Sequence, residues 1–109
     1  VVEYNLESLR SSLSQFDKNI ESIELVITRL KDSIKSEEEM LRVLNDPSNP
    51  NLVTHAALIE IDSQRIRESI NGHYLEISNF EEEIKQEQAR KLDTEKLIMR
   101  IELKEEMIS

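Results

Sequence analysis

The chain has 109 residues, of which 34% are charged and 4% aromatic, with one Gly, two Pro, no Cys and a net charge of −9. Long helices have such a composition; a compact globule would carry more aromatic and turn residues. The acidic balance excludes the non-specific nucleic-acid binding that needs a lysine- and arginine-rich face, and the lack of cysteine excludes disulfides and thiolate metal sites.

The first predicted element is a helix over about residues 1–45. Leu6, Leu9, Leu13, Phe16, Ile20, Ile23, Ile27, Leu30 and Ile34 follow one another at alternating steps of three and four. The series resumes at Leu41 and Leu44 after a polar residue at Glu37, and it extends back to Val2. This is the heptad of a coiled coil, with Leu6, Leu13, Ile20, Ile27, Ile34 and Leu41 at a. A disordered acidic chain has no such order.

A turn is predicted over 46–51. Asn45-Asp46-Pro47-Ser48-Asn49-Pro50-Asn51 gathers both prolines, and each lacks an N–H and pushes its predecessor out of the helical region. Asn51 or Thr54 is then the candidate cap of the next helix.

The second predicted helix covers about 52–108. Its stripe is Leu52, Ala56, Ile59, Ile66, Ile70, Ile77, Phe80 and Ile84, interrupted at Ser63 and His73. The frame then lands on Glu87, Lys91 and Thr94 before Ile98, Ile101 and Ile108. Either the phase shifts toward Leu92 and Met99 through a stutter, or this stretch faces something other than the first helix. Gly72, beside Asn71, marks a weak point or bend.

A short connection makes the two helices antiparallel neighbours, so the fold class is all-α, an antiparallel two-helix coiled-coil hairpin. A turn centred near Ser48 pairs residues whose numbers sum to about 97: Ile27 with Ile70, Ile20 with Ile77, Phe16 with Phe80, Leu13 with Ile84. On that register the second helix overhangs the first by roughly ten residues at the open end. Pairing of two chains through the same stripes is the alternative, and the proline-rich turn favours closure within one chain. The chain starts at Val1 without Met and reads as a piece of a longer protein.

No catalytic, cofactor or metal residues are expected. Three or four converging ligands make a zinc site, and neither His55 nor His73 has a second His at helical spacing. Glu37-Glu38-Glu39 and Glu81-Glu82-Glu83 read as solvated faces, since paired carboxylates work only across a cleft. No phosphate loop or nucleophile triad is present, so the chain is read as not an enzyme. The apolar run needed to span a bilayer, roughly 20 residues, is also missing, and this segment is not expected to insert in a membrane.

Apolar residues off the seam carry the functional expectation. Val53, Ala57, Leu58 and Ile61 lie beside the turn on the second helix, with Met40 and Val43 opposite, and Tyr74 and Leu75 extend the surface. These residues either widen the knob layer that closes the hairpin end or, since a two-stranded coiled coil has no use for a second apolar face, offer a contact surface to another helix, from a neighbouring copy or a partner protein. Arg42, Val43, Val53, Thr54, His55, Ala57, Leu58 and Ile61 are therefore the candidate partner-contact residues.

The run Leu52-Val53-Thr54-His55-Ala56-Ala57-Leu58, followed by the Gln/Glu-rich stretch Gln64 through Leu97, resembles the second hairpin helix of membrane fusion proteins of the haemolysin-secretion type. These are the periplasmic adaptors of type I secretion systems. The resemblance implies a hairpin that projects from a lipoyl-like domain, assembles with its copies in a tube and docks its tip on an outer-membrane channel of the TolC type. Adaptors of this kind carry an Arg, a Leu and a Ser around the tip. Thr54 stands in for the Ser, Arg42 lies within one residue of the Arg, and the Leu position falls in the Asp46–Pro47 turn. The compartment implied is the periplasm. The alternative is a coiled-coil tether or scaffold segment of a cytoplasmic or cytoskeletal assembly, and an acidic helical chaperone that clasps a partner's helix comes third.

Overall fold

A computed structural model describes residues 5–108, and among these the protein is all α-helical apart from its turns. Helix α1 spans Leu6–Leu44, α2 is a single turn at Asn51–Thr54, and α3 spans Ala56–Ile108. Asn5 opens α1 by accepting the Glu7 N–H on its side-chain oxygen at 2.9 Å, which satisfies one of the amides a helix start leaves free. Val2, placed in the first heptad, lies outside the described residues.

The chain divides into two compact units, one from Val26–Asn79 and the other from Val1–Leu25 with Phe80–Ser109. In each, a segment of α1 packs against a segment of α3. In the central unit Asn45 bonds Ser63 and Glu37 bonds His73. In the terminal unit Asn19 bonds Glu87, Asp17 pairs with Lys91 and Arg10 with Glu102. Partner numbers fall along α3 as they rise along α1, so the segments run antiparallel in both units.

These contacts correct the expected register. For a given residue of α1 the partner lies about eleven places, or three helical turns, further along α3 than a tight turn at Ser48 would put it. The pairs Ile27–Ile70, Ile20–Ile77, Phe16–Phe80 and Leu13–Ile84 belong to the turn-centred register and are displaced with it. That register would have set Ser63 against Ile34, Glu37 against Glu60 and Lys91 against Leu6. In the observed one, the polar residues Ser63, His73, Glu87 and Lys91 of the α3 frame reach polar side chains of α1. A buried polar group without a partner costs about 1–3 kcal/mol, whereas apolar layers tolerate many alignments. The overhang of α3 at the open end also disappears, because the Arg10–Glu102 pair leaves similar lengths of each helix beyond it.

The connection accommodates this by being longer than a turn. Asp46 Oδ1 accepts both the N–H and the hydroxyl of Ser48, at 2.8 and 2.6 Å. Asn49 donates its side-chain amide to the Leu44 carbonyl and accepts the Asn51 N–H, at 2.9 and 3.0 Å. Asn49 therefore tends the start of α2, not Asn51 or Thr54. At His55 the backbone leaves the helical region (φ −131°, ψ 36°) before α3 begins. The helix break thus falls at His55, while Gly72, expected as a bend, lies inside the continuous α3.

Burial along α3 follows one frame without a phase shift. Ile59, Ser63, Ile66, Ile70, His73, Ile77, Phe80, Ile84, Glu87, Lys91, Thr94, Ile98 and Ile101 are all buried or half-buried. Leu92 and Met99 are exposed, so the stutter does not occur. Glu87, Lys91 and Thr94 stay in the frame because the first two find polar partners on α1. Two expected stripe members fall outside the frame: Ala56 is exposed, and so is Ile108.

Candidate functional site

The turn end of the central unit carries the expected contact residues. Val53, on α2, is 89% exposed, and Leu58 and Ile61, on the first turns of α3, are 59% and 49% exposed. Their exposure follows from position: the seam frame starts at Ile59 and Ser63, so Leu58 and Ile61 point away from it. Ala57 is also exposed. Thr54 turns its hydroxyl to the Pro50 carbonyl and to His55 Nδ1, at 3.4 and 2.9 Å, so these two polar side chains engage each other at the helix break.

Arg42 and Val43 stand at the end of α1. Arg42 donates to the Glu39 carboxylate through Nε, at 3.0 Å, and through its terminal nitrogen. That hydrogen bond holds the Glu39 carboxyl below the usual carboxylate range. Asp46 is held down in the same way, by the Ser48 hydroxyl first and the Ser48 N–H second.

Met40 and Val43 are about half exposed. They were expected opposite the first turn of α3; instead they line a groove of about 580 Å³ together with Leu44, Asp62, Arg65 and Ile66, rimmed by Glu39. The register change explains the new neighbours, since it brings the end of α1 further along α3. Asp62 and Arg65 are the groove residues that the sequence reading missed. The signal was available only with the register known: Asp62 directly precedes seam residue Ser63, and Arg65 directly precedes seam residue Ile66.

Inside the seam, Ser63 has no exposed surface and accepts from the Asn45 side-chain amide at 3.0 Å. Glu37 Oε1 accepts from Ser69 Oγ and lies against His73 Nε2, each at 3.0 Å. A carboxylate oxygen only accepts, so Nε2 carries the proton in this contact. Glu37 Oε2 and His73 Nδ1 are buried without a partner. In the terminal unit Lys91 Nζ lies 2.7 Å from Asp17, and that hydrogen bond raises the ammonium pKa above its usual value. Arg90 reaches Glu87 at 2.6 Å from the same helix.

Among the described residues no group of three or more His, Cys, Asp or Glu side chains is placed to hold a metal ion. No helix is long and apolar enough to cross a membrane. No family model matches the chain, and neither a curated protein nor a solved structure matches it.

Proposed function

We propose that the chain is a structural and interaction element, an antiparallel two-helix coiled-coil hairpin that presents the exposed apolar residues of its turn end to a protein partner. The observation that supports this best is the separation of roles between residues. Polar residues of α1 and α3 pair with one another across the seam, while Val53, Leu58 and Ile61 stay in solvent, where nothing in the hairpin itself uses them.

In its most specific form the hairpin belongs to a periplasmic adaptor of type I secretion, and bridges an inner-membrane transporter to an outer-membrane channel. The run Leu52–Leu58 and the placement of Thr54 and Arg42 beside the turn support that form. A second reading is favoured by the unbroken heptad frame of α3 from Ile59 to Ile101: a tether or scaffold segment of a cytoplasmic or cytoskeletal assembly, in which such frames continue into neighbouring coiled coil.

The test is Leu58→Glu in this chain. Partner association should be lost while helicity by circular dichroism is unchanged. Loss of helicity would make Leu58 a core residue and remove the reading. Lipoyl-like strands adjoining the hairpin would separate the adaptor from a tether, in which heptads would adjoin it instead.

A further inference from the structure

The two sides of the central seam differ. On one side, Met40, Val43, Leu44 and Ile66 line the groove described above, with Asp62 and Arg65 on its wall. On the other, the corresponding groove is lined mainly by Lys31, Asp32, Lys35 and Glu38. A solvated face looks like the second. The first is an apolar strip with Asp62 and Arg65 three residues apart on the same helix, and with Glu39, already tied to Arg42, at its rim.

Neither Asp62 nor Arg65 forms an ion pair with another described residue, although Arg42 and Arg67 in the same unit each find one. An acid and a base in this spacing are self-complementary. If two α3 segments cross antiparallel about a two-fold axis, Asp62 of each lies opposite Arg65 of the other. The same alignment sets Leu58 opposite Ser69, a large side chain against a small one. A basic partner would suit the acidic chain as a whole, but it would leave Arg65 facing like charge.

We infer that this groove is the contact between two copies of the chain, closed by two Asp62–Arg65 pairs over Met40, Val43 and Ile66. The inference rests on the interaction-hairpin reading and adds the identity of one partner.

Sedimentation equilibrium of the 109-residue chain across the micromolar range tests it. The expected mass is twice the 12.8 kDa of the monomer. Arg65→Asp and Asp62→Arg should each return the chain to monomer mass with helicity unchanged, and an equimolar mixture of the two should regain the dimer. Met40→Glu, which alters the groove without touching either charge, should also give monomer. Monomer mass for the unaltered chain overturns the inference. So does a dimer that survives Arg65→Asp or Met40→Glu, or a mixture that stays monomeric, since either outcome places the contact elsewhere. If the dimer fails while Leu58→Glu still abolishes partner binding, only this inference falls. If Leu58→Glu abolishes helicity, the interaction reading falls with it.

Discussion

His73 Nε2 lies 3.0 Å from Glu37 Oε1, and the two side chains keep only 23% and 21% of their surface exposed. Each occupies a heptad position where its own helix would otherwise place an apolar residue. Each also leaves one buried atom without a partner, Nδ1 on His73 and Oε2 on Glu37. Such a pair is a weak source of stability and a strong source of specificity, because misalignment exposes both to apolar neighbours.

Glu37→Leu or His73→Leu alone should therefore lower stability by about 1–3 kcal/mol, since the remaining polar group stays in the seam with only the Ser69 hydroxyl as a partner. The double replacement should recover that loss or exceed it. Thermal melts of the four members of the cycle give the answer. An increase in melting temperature for both single variants would mean that the pair does not interact in the way described.

Gly72 offers a gain without a cost. A methyl group at its Cα would meet nothing within 4 Å, and its φ is negative, as in the rest of the helix. Gly72→Ala should stabilise the chain by about 1 kcal/mol, the difference in helix propensity. A lower melting temperature would show that Gly72 is needed for flexibility or for a contact with another molecule.

The helices themselves were legible in the sequence because a three-four spacing of Leu and Ile has one physical meaning over so many turns. The register was not. Ile20, Ile27 and Ile34 find an isoleucine opposite them in more than one alignment, so the apolar stripe cannot choose. Glu37, Asn45, Ser63, His73, Glu87 and Lys91 choose, and in either helix alone they look like interruptions of the stripe or, for Asn45, like part of the turn. The turn misled for a related reason: Pro47 and Pro50 mark where the helix stops but say nothing of the extra turn at α2 or the break at His55. Of the candidate site, the exposure of Val53, Leu58 and Ile61 could be anticipated from heptad position. The groove through Asp62 and Arg65 could not, because it depends on which part of α1 lies beside them.

Asp46 supplies a pH prediction. Its carboxyl is held below the ordinary aspartate value of 3.8 by the Ser48 hydroxyl and N–H. A depressed folded-state pKa contributes stability that is present above the unfolded pKa and is lost as pH falls through the folded one. The turn should therefore keep its Ser48 hydrogen bonds at mildly acid pH and lose them only below the usual aspartate range. Carboxyl carbon shifts of Asp46 followed by NMR should show a midpoint under 3.8 that rises toward the ordinary value in Ser48→Ala. A midpoint at or above 3.8 in the unaltered chain would contradict the geometry.

If polar pairs select the register, removing them should raise stability and lower precision together. With Glu37, His73, Glu87 and Lys91 all replaced by leucine, the seam loses most of its polar layers and gains buried apolar surface, so the melting temperature should rise. The alternatives should become populated at the same time, because leucine layers one heptad apart are nearly equivalent. The chain has no cysteine, so nitroxide labels can be placed cleanly at Arg10→Cys and Glu102→Cys, the sites of the ion pair in the terminal unit. The parent chain should give one short distance. The leucine variant should add a second population displaced by about 10 Å, the length of a seven-residue slip. A single unchanged distance would mean that the Asn45–Ser63 bond and the connection at the turn hold the register by themselves, and that the other polar pairs are tolerated passengers of the seam.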